Sequence, residues 1–402
     1  METKILHDEI EEAAAVLKMG GLVAVPTETV YGLAGNGLSA DAISRIYEVK
    51  GRPAVKPLSL MVADASAMEQ YCSEVPSAAR VLAEKFWPGP LTIVLKAKQL
   101  LPDILLAGGS TVGLRCPDHA LTQELLRTSG IPLAAPSANP SGEESPKTAE
   151  KVREYFSGKI EAILDGGPCG IGKESTIIDL SRKPFRILRQ GALPRETIEN
   201  ALVGSLRILG ITGGTGCGKT TALQCLEERG ALILDCDAIY HDLLENSESL
   251  IHEIREAFPD AAANGTIDRK ALGAIVFRDP VALQQLNAIT HCHISARLHE
   301  LLCEHAWNGG TLAAYDAIEL IGSGLSQDCE ATIAIVADEE KRIQRIMERD
   351  SISREYAKLR ISAQKPNSYF AENCDYAVEN NTDEENFVRK MNAVLEEILN
   401  HG

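Results

Sequence analysis

The sequence contains no apolar run long enough to cross a bilayer and no pair of cysteines in the C-x-x-C spacing. A membrane-spanning helix needs about 20 consecutive apolar residues, so we expect no membrane association. The ten cysteines stand singly, which favours reduced thiols in a cytosol over a disulfide framework or a zinc site. The N-terminus leads into an acidic helical pattern without the regions of a signal peptide. We therefore predict a cytoplasmic protein.

Positive charge is also scarce, with 40 lysines and arginines against 57 aspartates and glutamates and a net charge of −17. This balance argues against broad binding of nucleic acids or anionic membranes, so we expect no stable nucleic-acid complex. It is compatible with a local basic pocket. At 402 residues the chain is long enough for two or three domains, each with its own core.

One glycine-rich stretch follows an apolar strand-like run at 208–212 and precedes a helical pattern. It matches the phosphate-loop pattern G-x-x-x-x-G-K-[ST] in the strand–loop–helix context that the pattern requires. Glycines let successive backbone N–H groups face one anion, and the helix N-terminus adds its positive dipole end. Lys219 suits the β- and γ-phosphates of ATP, and the Thr220 hydroxyl suits Mg²⁺. The residues expected to bind ATP are Gly213, Gly214, Thr215, Gly216, Cys217, Gly218, Lys219 and Thr220.

Two carboxylates follow the next strand-like run, Ala231–Leu234, at Asp235 and Asp237. Side chains at the carboxyl end of a parallel strand face the ligand crevice, which favours a metal-binding or hydroxyl-orienting role. The alternative is structural, with Asp237 as the N-cap of a helix and a solvated neighbour. His241 lies one helical turn beyond Asp237.

Arginines recur at helical spacing after another predicted strand, at 331–337. Three of them stand three and four residues apart, on one face of a helix, and two further polar side chains follow on the next helix: Arg342, Arg345, Arg349, Arg360 and Gln364. In phosphoryl transfer such arginines often close over the triphosphate. A solvated basic face is the alternative.

The second half resembles the dephospho-CoA kinase family over about 206–398. Besides the phosphate loop and Asp235-x-Asp237, the matching segments are Gly265–Leu272, Val276-Phe277, Ile289-Thr290-His291, Arg345-x-x-x-Arg349-Asp350 and Arg360-Ile361-x-x-Gln364. The resemblance implies a parallel sheet of the P-loop NTPase type with a helical lid. It also implies ATP-dependent phosphorylation of the ribose 3′-hydroxyl of dephospho-CoA.

Residue roles in this half follow from the same resemblance. Either Asp235 or Asp237 accepts the proton of the hydroxyl, and the sequence does not rank them. The implied catalytic residues are Lys219, Asp235, Asp237 and Arg349, and the implied ATP contacts outside the loop are Arg345, Arg349 and Arg360. Mg²⁺ is the implied cofactor, held at Thr220.

The sequence departs from the family pattern between Asp316 and Leu325. The family usually has a Pro-Leu-Leu core followed by glutamate. Here Gly322 occupies the glutamate position and Glu319 stands three residues earlier. The resemblance therefore implies a remodelled acceptor pocket.

Hydroxyl and cationic side chains cluster in the first half at the ends of predicted elements. A helical pattern at 6–18 and a buried strand at 22–25 lead into a loop rich in hydroxyls at 26–33, and a helix over 39–49 follows. Three cations then fall within seven residues: Lys50, Arg52 and Lys56. Glycine and proline among them prevent one solvated helix face, although a basic turn is an alternative.

Later segments of the first half add polar side chains at other strand ends. Predicted strands cover 92–96 and 112–116, and the second of these carries Arg115. A polar loop at 137–142 follows a further strand, and Arg189 lies in the last one. These features predict an α/β domain with a cationic, hydroxyl-rich cleft.

The first half resembles the YrdC/Sua5 family over about 5–202. The motifs are Pro26–Leu33, Lys50-x-Arg52, Lys56-Pro57-Leu58-Ser59, Ser137-Ala138-Asn139 and Ser175-Thr176. Members are threonylcarbamoyl-AMP synthases, which join L-threonine, bicarbonate and ATP into threonylcarbamoyl-adenylate and pyrophosphate for a tRNA adenosine modification. The resemblance implies a twisted sheet with an open cationic cleft, and partners among the proteins that transfer threonylcarbamoyl to tRNA.

Binding roles in this half are also implied by the resemblance. The implied ATP-binding residues are Lys50, Arg52, Lys56, Ser59, Ser137, Asn139, Ser175 and Arg189. The implied threonine-binding residues are Thr27, Tyr31 and Arg115.

The sequence thus predicts an α/β protein of two domains, 1–204 and 205–402, with Val203-Gly204-Ser205 as the linker. The predicted function is that of a bifunctional enzyme that makes threonylcarbamoyl-AMP and phosphorylates dephospho-CoA, with ATP as a substrate of both reactions. Two alternatives keep the kinase. In one the first half is a non-catalytic RNA-binding module, and in the other it only senses a nucleotide.

Overall fold

The computed structural model of the chain describes residues 2–261, 267–276 and 278–400. Two motif residues named above, Gly265 and Phe277, lie outside the described residues. Contacts divide the chain into a first unit of residues 1–205 with 307–309 and a second unit of 206–306 with 310–402. The boundary at 204/205 stays a prediction. Among the described residues, no helix is both long and apolar enough to cross a membrane.

The described part of the first unit alternates short strands with helices. The strands are β1 Lys4–Leu6, β2 Val23–Val25, β3 Gly32–Asn36, β4 Leu60–Met61, β5 Leu91–Lys96, β6 Thr111–Arg115, β7 Leu133–Ala134, β8 Ala162–Leu164, β9 Thr176–Asp179 and β10 Arg186–Arg189. The helices are α1 Ile10–Lys18, α2 Ala40–Lys50, α3 Ala67–Tyr71, α4 Ser77–Phe86, α5 Asp103–Leu106, α6 Ala120–Ser129, α7 Ala149–Phe156 and α8 Arg195–Val203.

These strands form one mixed sheet in the order β1-β8-β2-β3-β7-β4-β6-β5-β9-β10. For example, β5 pairs antiparallel with β6 and parallel with β9. Apolar side chains of α1, α6 and the strands near them form a buried core cluster: Ile10, Ala13, Leu17, Val23, Val25, Leu125, Leu133 and Leu164 are among its members. The polar ends of the strands are thereby held on a rigid apolar support.

The sequence-based elements of this unit are largely confirmed. The helix expected over 39–49 is α2, and the Ser39 side chain accepts a hydrogen bond from the Ala42 N–H as an N-cap. The helical pattern read from residue 6 is wrong at its start, because Lys4–Leu6 is strand β1. That strand pairs with β8, and pairing with residues about 160 positions away leaves no local signal in the sequence.

The second unit contains the strands β11 Arg207–Thr212, β12 Leu232–Asp235, β13 Leu312–Asp316, β14 Ala331–Val336 and β15 Tyr376–Glu379. Its helices, within the described residues, are α9 Lys219–Glu227, α10 Cys236–Asn246, α11 Glu248–Ala257, α12 Arg269–Val276, α13 Pro280–Trp307, α14 Glu339–Asp350, α15 Arg354–Ser362, α16 Asn367–Asn373 and α17 Glu384–Asn400.

The five strands of this unit form a parallel sheet in the order β12-β13-β11-β14-β15. The strands predicted at 231–234 and 331–337 are confirmed as β12 and β14. Side chains of α9 and α17 pack on the sheet in a buried cluster that includes Leu209, Ile211, Ile333, Phe387 and Met391. Because all five strands run the same way, their carboxyl ends meet at one edge of the sheet.

Candidate functional sites

The phosphate loop lies where the sequence predicts it, between the end of the central strand β11 at Thr212 and the start of α9 at Lys219. Gly213 and Gly218 have φ values of 140° and 99°, which other residues rarely adopt. A Cβ on Gly218 would also collide with the side-chain nitrogen of Asn380. The loop therefore depends on glycine for both its conformation and its close packing.

Two side chains of the arginine-bearing region hold the tip of the loop. Gln364 Oε1 accepts a hydrogen bond from the Thr215 N–H at 2.9 Å, and its Nε2 donates to Thr215 Oγ1 at 2.7 Å. Arg342 Nε donates to the Thr215 carbonyl at 2.9 Å. Arg342 is only 3% exposed, and burial lowers the pKa of its guanidinium. The alternative of a solvated basic face is therefore wrong for this residue.

The other arginines of this region separate into two groups. Arg345 donates to the carbonyl oxygens of Gly216 and Cys217, at 3.4 and 3.3 Å. Arg349 and Arg360 instead meet at one carboxylate, Asp350, at 2.7 and 2.5 Å. Bonds from both guanidinium groups lower the pKa of Asp350 to about 2. Asp350 thus joins the end of α14 to α15.

Lys219 forms an ion pair that the sequence analysis did not foresee. Its Nζ lies 2.8 Å from Asp316 Oδ1, and both side chains are 16% exposed. The contact is Coulombic, because this oxygen has no aligned hydrogen-bond partner among the described residues. Asp316 ends strand β13 and pairs in register with Asp235 on β12. The signal was present in the sequence, because an apolar run that ends in aspartate is the pattern used for Asp235.

The structure gives the two candidate bases different surroundings. The Asp235 side chain accepts a hydrogen bond from the Ala238 N–H at 2.8 Å and is the N-cap of α10. The alternative that made Asp237 the cap is therefore wrong. Asp237 instead lines a cavity, and burial raises its pKa, while the nearby Lys219 opposes this shift.

The cavity at Asp237 has a volume of about 460 Å³. Its apolar lining includes Leu244, Leu272, Val276, Leu286 and Ile294. The polar side chains among its lining residues are Asp237, His241, Arg269, His291 and Glu319, with Tyr240, Asn287, Thr290, Ser295 and Ser323. Such a cavity suits an acceptor with a long uncharged portion and a hydroxyl near Asp237.

The residues around Lys219 fit a magnesium ion that arrives with a nucleotide. Mg²⁺ prefers oxygen ligands and is usually bound through one or two protein groups together with substrate phosphates. The hydroxyl of the exposed Thr220 and the carboxylate of Asp316 are oxygen ligands of this kind at the start of α9 and the end of β13. Among the described residues, no cluster of three or more His, Cys, Asp or Glu side chains forms a dedicated metal site.

The first unit has a cavity of about 220 Å³ that brings together seven of the residues predicted to bind ATP or threonine. They are Tyr31, Arg52, Ser59, Arg115, Ser137, Ser175 and Arg189. The residues come from separate strands and loops of the mixed sheet. The cavity therefore combines three guanidinium groups with several hydroxyls, which is the cationic, hydroxyl-rich cleft that the sequence predicts.

Each guanidinium group in this cavity is held by neighbours. Arg189 donates to the Ser175 carbonyl at 2.8 Å and lies 3.1 Å from Glu174. Arg52 donates to the carbonyl oxygens of Lys56 and Pro57. Burial lowers the pKa of both arginines, and each remains fully charged near neutrality. They offer fixed positive charge to an anionic ligand.

Arg115 is buried together with a carboxylate. Its Nη2 lies 2.7 Å from Glu28 Oε1 and 2.8 Å from Thr29 Oγ1. Glu28 Oε2 also accepts a hydrogen bond from the Asp118 N–H at 3.0 Å. Glu28 was not among the predicted site residues, although it stands inside the motif at 26–33. Its contacts with Arg115 and with the Asp118 N–H hold the Arg115 guanidinium in one orientation.

Lys50 lies beneath the cavity rather than in its lining. It is 4% exposed, and its Nζ donates to the carbonyl oxygens of Ser137 and Asn139. Burial, with a further contribution from Arg52, lowers the pKa of its ammonium to about 7. The basic-turn alternative is therefore wrong for Lys50, which supports the loop that carries Ser137.

Three other predicted residues also lie outside the lining of this cavity. Lys56 is exposed. Thr27 is buried, and its hydroxyl donates to the Val30 carbonyl at 2.6 Å. The Asn139 amide donates to the Glu143 carbonyl at 2.7 Å. Thr27 and Asn139 thus shape the loops on which Tyr31 and Ser137 stand.

Comparisons with known proteins agree with this division. A family model described as "Telomere recombination" (Sua5_yciO_yrdC) matches residues 15–191, and one described as "Dephospho-CoA kinase" (CoaE) matches residues 207–386. The threonylcarbamoyl-AMP synthase of Bos taurus is 36% identical over 198 residues, which are 47% of this chain and 70% of that protein. The chain belongs to the Sua5/YciO/YrdC family. It also carries a dephospho-CoA kinase family domain.

Other relatives extend the comparison of each unit. The threonylcarbamoyl-AMP synthase of Pyrococcus abyssi is 48% identical to the Sua5-family unit over 208 residues, which are 50% of this chain and 61% of that protein. The chain thus spans about three fifths of the length of this relative. The solved structure of dephospho-CoA kinase from Campylobacter jejuni is 25% identical, with a TM-score of 0.35, and the match covers 48% of this chain and 96% of that one.

Proposed function

We propose that the chain is a bifunctional enzyme. Its kinase-family unit transfers the γ-phosphoryl group of ATP to the ribose 3′-hydroxyl of dephospho-CoA, which gives CoA and ADP. Its Sua5-family unit joins L-threonine, bicarbonate and ATP into threonylcarbamoyl-AMP and pyrophosphate. The product of the second reaction is a donor for tRNA modification, and the transfer proteins of that modification are the proposed partners.

One observation carries the kinase proposal: the Asp237 carboxylate, whose pKa is raised by desolvation, lines an acceptor-sized cavity close to the phosphate-loop lysine. The acceptor hydroxyl oxygen attacks the γ-phosphorus, and the bond between the γ-phosphorus and the oxygen that bridges to the β-phosphate breaks. Asp237 accepts the proton of the hydroxyl. The pKa of Asp237 is raised from its ordinary value towards neutral pH, which suits a general base. Lys219 stabilises the negative charge on the transferring group.

Other kinase-family residues bind and orient. The backbone of Gly213–Thr220 and the N-terminus of α9 bind the phosphates. Arg345, Arg349 and Arg360 are proposed to contact ATP, since Arg345 already lies on the loop and the other two are joined next to it through Asp350. Thr220 and Asp316 would hold Mg²⁺, which would supply positive charge against the phosphates.

The synthase proposal is supported by the convergence of Arg52, Arg115 and Arg189 on one cavity. In this reaction an oxygen of N-carboxy-threonine attacks the α-phosphorus of ATP, and pyrophosphate leaves. The step needs charge stabilisation and positioning more than a protein nucleophile. Arg52 and Arg189, with Ser59, Ser137 and Ser175, suit the nucleotide; Arg115 suits the threonine carboxylate near Tyr31.

The test measures ATP consumption by the full chain in two assays, one with L-threonine plus bicarbonate and one with dephospho-CoA. We expect pyrophosphate release that requires threonine in the first, and ADP with CoA in the second. Absence of either activity would reject that half of the proposal. An RNA gel shift that weakens steeply with salt, without threonine-dependent turnover, would instead support the RNA-binding alternative.

A further inference from the structure

In the segment after strand β13, the Glu319 carboxylate lies next to Gly322. Glu319 Oε2 lies 2.9 Å from the position that a Cβ on Gly322 would occupy. Any side chain at residue 322 would therefore meet this carboxylate and displace it. Gly322 has no left-handed φ that would require glycine for the backbone. The absence of a side chain at this position leaves the space that Glu319 fills.

The Glu319 side chain is exposed and lines the acceptor cavity together with Asp237, which is also exposed. Among the described residues, the Glu319 carboxylate has no hydrogen bond or ion pair. Its place follows from the sheet, because Asp235 and Asp316 pair in register on adjacent parallel strands. Asp237 stands two residues after the first, and Glu319 three residues after the second. Adjacent strands are about 4.8 Å apart, so the two carboxylates lie at neighbouring strand ends.

The chemistry of a free carboxylate restricts what it binds. It accepts hydrogen bonds from hydroxyl or amine groups and repels phosphate. Two carboxylates in the lining of one cavity match two neighbouring hydroxyls, which is what a ribose presents. We propose that Asp237 takes the reacting hydroxyl and that Glu319 binds its 2′ neighbour, so that Glu319 makes the kinase-family unit selective for ribose over 2′-deoxyribose acceptors. This proposal rests on the kinase function proposed above.

The experiment compares dephospho-CoA with its 2′-deoxyribose analogue on the full-length protein. We expect the wild type to prefer the ribose acceptor by about tenfold to hundredfold in kcat/KM, since the analogue loses a hydrogen bond to a charged carboxylate. Glu319→Leu should reduce this preference to within about threefold. Gly322→Ala should reduce it as well, because its Cβ displaces the carboxylate while Glu319 remains. Glu372→Gln, an exposed change on α16, is the control that keeps the preference.

A second readout separates this proposal from the kinase function itself. Calorimetric binding of both acceptors to the wild type and to Glu319→Leu measures the preference for ribose over 2′-deoxyribose as a ratio of dissociation constants, without turnover. Binding preference without phosphoryl transfer would reject the kinase function and retain the role of Glu319. Phosphoryl transfer with equal use of both acceptors by the wild type, or a preference unchanged in Glu319→Leu, would overturn the role of Glu319. Equal binding of both acceptors without turnover would overturn the kinase function and the role of Glu319 together.

Discussion

The candidate anion-binding sites of the two units are built from different parts of the chain. The kinase-family unit presents the backbone N–H groups of one contiguous loop, Gly213–Gly218, with Lys219 at the helix start. The Sua5-family unit presents side chains from distant segments, with Arg52, Arg115 and Arg189 around one cavity. A backbone site tolerates many side chains but needs its glycines, whereas a side-chain site loses a charge with each substitution. The two sites should therefore respond differently to mutation.

The largest effect is expected for Lys219→Ala in the kinase-family unit. The change removes the charge that stabilises the transferring phosphoryl group, so CoA formation should fall by about a thousandfold. Coupled ADP detection measures this, and threonine-dependent pyrophosphate release in the same preparation should stay unchanged. Lys341→Ala, an exposed change on α14, is the matched control. Normal CoA formation in the Lys219 variant would remove the basis for the phosphate-loop assignment.

The next effect separates the two aspartates at the end of β12. Asp237→Asn should lower kcat for CoA formation by about a hundredfold with little change in stability, because it removes the proposed base. Asp235→Ala should instead lower the free energy of unfolding by about 1 kcal/mol, since it removes the N-cap of α10. Steady-state kinetics and thermal unfolding of both variants check this. The reverse outcome would make Asp235 the base.

In the Sua5-family unit, Arg52→Ala should lower kcat/KM for ATP by about tenfold to a hundredfold. The expected loss follows from the position of this guanidinium in the lining of the cavity. Threonine-dependent pyrophosphate release is the measurement, and Arg153→Ala, an exposed change on α7, is the control. Equal activity of the two variants would show that this cavity does not bind the triphosphate.

Features that depend on a contiguous stretch of sequence were predictable, whereas features built from distant segments were not. The phosphate loop and the N-cap of α2 are local patterns, and both are where they were predicted. Asp235 at the end of β12 and Asp237 in the first turn of α10 were also found from local sequence, but their surroundings depend on the fold. Only the structure shows which carboxylate caps α10 and which one faces the cavity.

Contacts over long sequence separations were not predictable from spacing. The pairs Lys219–Asp316 and Arg115–Glu28 join residues about 97 and 87 positions apart. The family resemblance pointed to Lys50 as a triphosphate ligand, yet the fold buries it against two carbonyl oxygens. A positive charge in a motif does not reveal whether it faces the ligand or supports the loop beneath it.

Lys50 predicts a pH dependence of stability in the Sua5-family unit. Its pKa is about 7 when folded and near 10.5 when exposed, so the folded state holds fewer protons between these values. The cost of burying the charge is fully present below pH 7 and is relieved as pH rises towards 10. This group therefore adds up to ~1.4 kcal/mol of stability per pH unit across that window.

The measurement compares wild type with Lys50→Met in denaturant unfolding from pH 6 to 9. Trp87 lies within the first unit, so its fluorescence follows the unfolding of that unit. We expect the difference in unfolding free energy between the two proteins to grow in favour of wild type above pH 7. A difference that is constant with pH would mean that the buried lysine keeps its ordinary pKa.

The smallest effect is expected for Thr215→Val, inside the phosphate loop itself. The change removes the hydroxyl that accepts from Gln364 Nε2 but keeps the backbone N–H that donates to Gln364 Oε1. One part-buried hydrogen bond contributes about 1 kcal/mol, so KM for ATP should change by no more than about fivefold. The backbone groups that face the phosphates are unaffected. The measurement is KM for ATP in CoA formation by Thr215→Val. It is compared with the change in kcat/KM for ATP that Arg52→Ala causes in the other reaction. A loss as large as that of Lys219→Ala would mean that the loop binds ATP through side chains, and the contrast between the two units would then be wrong.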